Sequence, residues 1–141
     1  KDGKGLFPVT AEYSEELHAV GQYIQDGTPL MFETFLNFTE QQDDLVIFPD
    51  NINDSFDYLN DKTISEINKA AFEATVNAHS EKLPCLIFDF PILDAYHYGQ
   101  LFYFFQFACY VSGCILGVNP FNQPGVEAYK RWMFQALGKS I

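Results

Sequence analysis

Gln123, Glu127 and Lys130 stand at spacings that could place them on one working surface. At about 100° per residue, seven residues return a helix to within roughly 20° of its starting direction, so Gln123 and Lys130 share a face two turns apart, with Glu127 close to it. An amide brings hydrogen bonds and an ammonium brings positive charge. The same helix carries an apolar stripe of Val126, Met133 and Leu137, edged by Tyr129 and Phe134, and Lys130 projects between Leu137 and Phe134, whereas Arg131 points away. A cation in such a stripe either snorkels along it toward water or is wanted there for a function, and spacing alone leaves both readings open.

The histidines are the other candidates. His18 lies on the polar face of its helix with Gln22 and Gln25, where an ordinary surface histidine is the commoner reading although its ring could also titrate in a site. His79, at the end of a helix, is expected to complement the helix dipole, and His97 to sit partly buried at a helix start. None of the three is paired with a cysteine or carboxylate at metal-ligand spacing, so no metal site is expected. The run DNINDSFDYLND, Asp50 to Asp61, invites a calcium-loop reading, but Ile52 falls at the third position and Ser55 where the sharp turn needs glycine. Neither a nucleophile elbow nor a phosphate P-loop is present, and the GKG at Gly3 to Gly5 is too short for a phosphate cradle.

Elements must position these groups. NPFNQPGVEAYK, Asn119 to Lys130, reads as a proline-bounded helix entrance with Pro124 at the first helical position, where its fixed φ suits the helix. EYSEELHAVGQYIQDG reads as an amphipathic helix with the stripe Tyr13, Leu17, Val20 and Ile24, Gly21 alongside for close packing, and Gly27 as its end. Leu30 to Phe38, Leu45 to Phe48 and Cys85 to Phe90 have the length and composition of strands, the last nearly continuously apolar like a buried parallel strand. Thr63 and Glu66 are spaced as a capping box before a helix carrying Ile64, Ile67, Ala71, Phe72, Thr75 and Val76 at helical intervals. Between the first strand and Lys62 lie six aspartates with little periodicity, a solvated insertion. The order strand, helix, strand, long helix, loop, helix predicts an α/β fold, a three-layer α/β/α sandwich with a mainly parallel sheet.

At 141 residues, 48% hydrophobic and 17% aromatic, the chain suits one domain with a substantial core. A net charge of −11 disfavours nucleic acid and anionic membrane as partners, and an anionic substrate would need locally focused positive charge. Cys85, Cys109 and Cys114, odd in number and without a CxxC pair, read as reduced, buried thiols of a cytoplasmic protein. The start at Lys1, without Met and in the polar run KDGKG, reads as a cut through a longer chain. No Asp, Glu, Lys or Arg occurs from Ala95 to Val126, but Gln100, Gln106 and Ser112 interrupt the run, Pro120 and Pro124 close it and no basic flank follows, so a helix buried between layers is expected rather than a membrane span.

LHAVGQYIQDG at Leu17 to Gly27, FET at Phe32 to Thr34, NKAAFEATVNAH at Asn68 to His79, GVNPFNQPGVEAYK at Gly117 to Lys130 and the closing MFQALGK together resemble the bacterial-type glucose-6-phosphate isomerase family. The resemblance implies that residues 1–141 are most of a C-terminal sugar isomerase (SIS) domain, cut from a two-SIS-domain chain that is cytoplasmic and usually dimeric. It implies interconversion of glucose 6-phosphate and fructose 6-phosphate by ring opening and an enediol, without cofactor or metal. By motif, His18 would serve acid/base ring opening, Lys130 would assist at the ring oxygen and stabilise developing negative charge, and Gln123 would hold the substrate. The family's proton-shuttling glutamate falls a few residues before Lys1 and its phosphate-gripping loop in the N-terminal SIS domain, so the segment alone is expected to be inactive. The alternative is a non-catalytic SIS module that binds a sugar phosphate and regulates another process.

Overall fold

A computed structural model describes residues 3–139. They fall into two compact units, one of residues up to Pro8 and from Gly99 onward, the other of Val9–Tyr98.

The Val9–Tyr98 unit is built on a β-α-β crossover. Strand β1, Glu33–Phe38, pairs in parallel with β2, Cys85–Phe90, in a register that runs from Glu33 opposite Cys85 to Phe38 opposite Phe90. Parallel neighbours cannot be joined by a tight turn, and the connection passes through a long helix, Ile64–Ser80. Mixed helix and strand around a small parallel sheet is the α/β class expected. The first strand is shorter than the sequence suggests: its ladder begins where the Glu33 N–H reaches the Pro84 carbonyl at 3.0 Å, and β2 offers only six residues to pair with.

Before β1 the chain forms α1, Tyr13–Glu16, a π-helical turn, Leu17–Gly21, and α2, Gln22–Asp26. The periodicity predicts one continuous α-helix; the π-turn inside it is the correction, and it falls on LHAVG, where a Cβ on buried Gly21 would lie 3.2 Å from Leu17 Cδ1. Gly27 ends the segment as expected, since a Cβ there would lie 2.3 Å from the Tyr23 carbonyl oxygen. The helix between the strands is α3. Thr63 caps it as a full capping box: its hydroxyl accepts from Glu66 N–H at 3.1 Å and the Glu66 carboxylate accepts from Thr63 N–H at 2.8 Å, which holds the Glu66 carboxyl below its usual range.

Leu45 to Phe48 does not form a strand. Val46 makes a single antiparallel bridge to Thr63, while Ile64 N–H reaches the Leu45 carbonyl and Ile47 N–H the Lys62 carbonyl, each at 2.9 Å. Those peptide groups fasten the acidic insertion to the start of α3, a task the Asp44 carboxylate shares by accepting from the Ser65 hydroxyl and from Ser65 N–H. Within the insertion, Asp50 and Asp54 accept from Ile52 and Phe56 N–H at 2.9 Å, local turns that compete with regular structure. Ser55 and Asp61 take positive φ of 71° and 62°.

In the other unit, α4, Ala95–Ile115, continues from its first turn in the Val9–Tyr98 unit, and α5, Pro124–Ala136, follows. Asp94 precedes α4 and accepts from His97 N–H and His97 Nδ1, each at 2.8 Å, which holds the Asp94 carboxyl low and gives His97 the helix-start place expected of it. Both helices end on a glycine of positive φ, Gly117 and Gly138. Val118 N–H bonds Gly113 O and Gly117 N–H bonds Cys114 O, while Lys139 N–H bonds Phe134 O and Gly138 N–H bonds Gln135 O, the paired closures that satisfy terminal carbonyls.

Among the described residues the buried apolar side chains are Ile24, Phe35 and Leu83, all in the Val9–Tyr98 unit. The expectation of a buried α4 is not met: Phe102, Tyr103, Phe104, Phe107 and Tyr110 are exposed, and with them Cys109 and Cys114, so only half-buried Cys85 approaches the thiol environment expected. A helix apolar on all sides needs neighbours all round it, and its unit adds only α5 and a short N-terminal stretch. The stripe of α5 is likewise open, with Met133 and Phe134 half-buried and Val126 and Leu137 exposed. No described helix is long and apolar enough to cross a membrane.

Candidate functional site

Asn119 to Lys130 is pinned from below. Pro120 lies against buried Gly113 of α4, so closely that a Cβ on Gly113 would come within 2.9 Å of Pro120 Cβ. Asn119 Oδ1 accepts from Phe121 N–H at 2.9 Å, and the Phe121 ring packs 5.5 Å from the Tyr110 ring. The loop therefore leaves α4 in a fixed direction and delivers Gln123 to the N-cap of α5, with Pro124 at the first helical position as the sequence predicts. The Gln123 carbonyl accepts from Val126 N–H at 3.0 Å, while its side chain makes no capping bond.

Lys130, two turns on, is exposed, and its Nζ donates to Glu127 Oε1 at 2.9 Å. The ammonium neither snorkels into the stripe nor is buried in it. About half of each side chain is exposed in this pair, and pairs so exposed contribute little to stability, so the contact is readily exchanged for another anion. Exposed Gln123 and Lys130 thus offer an uncommitted amide and a weakly committed cation on one helix.

His18 belongs to the other unit and lies in the π-turn, exposed. A π-turn widens the helix by one residue and is frequent at functional positions. A cavity of about 290 Å³ beside it is lined by Leu17, Gly21, Gln22 and Gln25 on one side and by Ala74, Thr75, Ala78 and His79 of α3 on the other. Gln25 Nε2 is buried there without a hydrogen-bond partner. No group of three or more potential metal ligands occurs among the described residues.

Sequence reasoning missed a cluster beneath this segment. His79 stands in the last turn of α3 as expected, and it is 1% exposed, with its ring 6.2 Å from that of Phe35 on β1. Its Nδ1 lies 2.8 Å from Glu33 Oε2, and the other carboxylate oxygen, Glu33 Oε1, accepts from the Tyr13 hydroxyl. The Tyr13 ring stands edge-on to the imidazole at 5.1 Å. Burial first, then the bond to Glu33 and its charge, push the Tyr13 hydroxyl far above the usual phenol range. Burial and the same carboxylate push the Cys85 thiol up. Partners 20 and 46 residues apart leave no local signature, and the only pointer to Glu33 is its place in FET.

No family model matches the chain. Curated relatives do. A glucose-6-phosphate isomerase of Clostridium tetani is 49% identical over 141 residues, covering 99% of this chain and 31% of the relative, and that of Clostridioides difficile is 50% identical over the same shares. The glucose-6-phosphate isomerase of Onion yellows phytoplasma is 51% identical over 140 residues, 97% of this chain and 33% of the relative. Along nearly its whole length, the chain is similar to glucose-6-phosphate isomerases. The resemblance carried by LHAVGQ and GVNPFNQPGVEAYK is thereby borne out, and the chain spans about a third of the length of the curated relatives it matches. Among solved structures, a hypothetical protein from Thermus thermophilus superposes with a TM-score of 0.82 at 26% identity, over 87% of this chain and 30% of that one.

Proposed function

We propose that this chain is the C-terminal SIS part of a glucose-6-phosphate isomerase acting in glycolysis and gluconeogenesis. The observation that carries the reading is identity near one half over 99% of the chain to enzymes of that name. In this reading His18 exchanges a proton with the sugar during ring opening, as an imidazole suits near neutral pH. Lys130 leaves Glu127 to lie at the ring oxygen, where a fixed cation offsets the negative charge that develops in the enediol step. Gln123 orients the substrate by hydrogen bonds. The base that moves the proton between C1 and C2 and the grip on the phosphate come from the rest of the parent chain, and no cofactor or metal is required.

In this reading the complete domain is a three-layer α/β/α sandwich, of which β1, α3 and β2 are the central crossover. The N-terminal SIS domain and a second subunit of a cytoplasmic homodimer are the partners. The exposed aromatic side chains of α4 and α5 favour such covering, because large exposed apolar surfaces mark interaction sites. The test is an isomerase assay on the full-length chain that contains this segment, with the segment alone and with Lys130→Ala alongside. The full-length chain is expected to interconvert the two sugar phosphates, the segment to be inactive, and Lys130→Ala to lose about a hundredfold in kcat/KM. Sugar-phosphate binding by the full-length chain without turnover would favour the regulatory module instead.

A further inference from the structure

His18 sits in a segment that is marginal by itself. The pieces α1, the π-turn and α2 form one run from Tyr13 to Asp26, about the length at which an isolated helix is only marginally stable in water, and the π-turn interrupts its regular hydrogen bonding. Their orientation has to come from tertiary contacts. Downstream of His18 the anchor is buried Ile24. Upstream it is polar: five residues before His18, the Tyr13 hydroxyl donates to Glu33 on β1, and the second oxygen of the same carboxylate is bonded to His79 on α3. One carboxylate therefore ties three elements together. It is 11% exposed and His79 is 2% exposed in side-chain terms, so each of these bonds is made largely out of water, where an unmade one is costly. Phe35 packs 6.0 Å from Tyr13 and 6.2 Å from His79, closing the apolar wall around the bonds.

Satisfied polar chains of this kind fix direction more sharply than apolar packing, which tolerates sliding. The π-turn that follows α1 then presents exposed His18. We propose that Tyr13, Glu33 and His79 are positioning residues that set the placement of the His18 imidazole for sugar ring opening, an inference that rests on the reading of His18 as the ring-opening acid/base group. A catalytic group displaced by about 1 Å costs on the order of a hundredfold in rate, so loosening one tether is expected to cost about tenfold or more in kcat. Substrate binding through Gln123 and Lys130 does not pass through these residues, so KM is expected to change little.

The experiment is a double-mutant cycle in the full-length chain, assayed with fructose 6-phosphate. Tyr13→Phe removes one hydroxyl and keeps the ring; Glu33→Gln keeps the shape of the carboxylate and serves where the first variant folds poorly, with melting temperatures recorded for both. Each is made in the parent and in a His18→Ala background. The expected result is a loss of kcat of about tenfold at nearly constant KM in the parent, and no further loss in the His18→Ala background. An equal loss in both backgrounds, or none in the parent, overturns the positioning role while leaving the role of His18 standing. A His18→Ala variant with the full kcat of the parent overturns the reading of His18 itself, and the positioning role with it.

Discussion

The two regions that carry the candidate residues are held in opposite ways. His18 is presented by short helical pieces tied down through a buried polar chain from Tyr13 to Glu33 to His79. Gln123 and Lys130 are presented by a regular α-helix whose position is set by backbone shape at its mouth, where Pro120 meets Gly113 and Asn119 closes a turn. The first support is made of long-range side-chain bonds, the second of local turn chemistry. A group expected to trade protons benefits from a direction fixed by bonds, whereas a ligand-holding amide and ammonium benefit from a rigid mount with free tips.

If that contrast is right, the two supports fail differently. Glu33→Ala is expected to have the largest effect, about 3 kcal/mol of stability lost in the full-length chain, because the part-buried Tyr13 hydroxyl and buried His79 Nδ1 both lose their partner; urea unfolding measures it, and a loss below about 1 kcal/mol would place the anchor elsewhere. Gly113→Ala comes next at about 2 kcal/mol, since the added methyl meets Pro120, and it should also weaken sugar-phosphate binding. Gly125→Ala, at a site with open space, is the control that should leave the melting temperature unchanged. The smallest effect is a change in alkaline stability. The folded-state pKa of Tyr13 is raised, so its contribution is complete below the ordinary value of 10.0 and is lost as pH rises beyond it; Tyr13→Phe is expected to flatten the unfolding curve on that side only.

The same contrast explains what the sequence made legible. The capping box of Thr63 and Glu66, the proline start of α5 and the glycine at the end of α2 rest on interactions within a few residues, and each is found where the spacing places it. Leu45 to Phe48 has strand composition, yet its peptide groups are claimed by the start of α3. A helical pattern in LHAVGQ gives no hint of a π-turn, because α- and π-turns place the same apolar residues at nearly the same intervals. His79 does stand at a helix end, but its bond to a carboxylate 46 residues away has no local signature there. Apolar content reads as core, yet the aromatic side chains of α4 are exposed, because its unit brings too few elements to surround it.

The account rests most directly on one helix face serving one ligand, and a crystal structure of the full-length chain with fructose 6-phosphate bound tests it. The predicted result is Gln123 and Lys130 both within hydrogen-bond distance of that ligand, about 2.7–3.2 Å, with the Lys130 ammonium withdrawn from Glu127. A sugar phosphate bound elsewhere, with Lys130 still paired to Glu127 and Gln123 facing solvent, would contradict it.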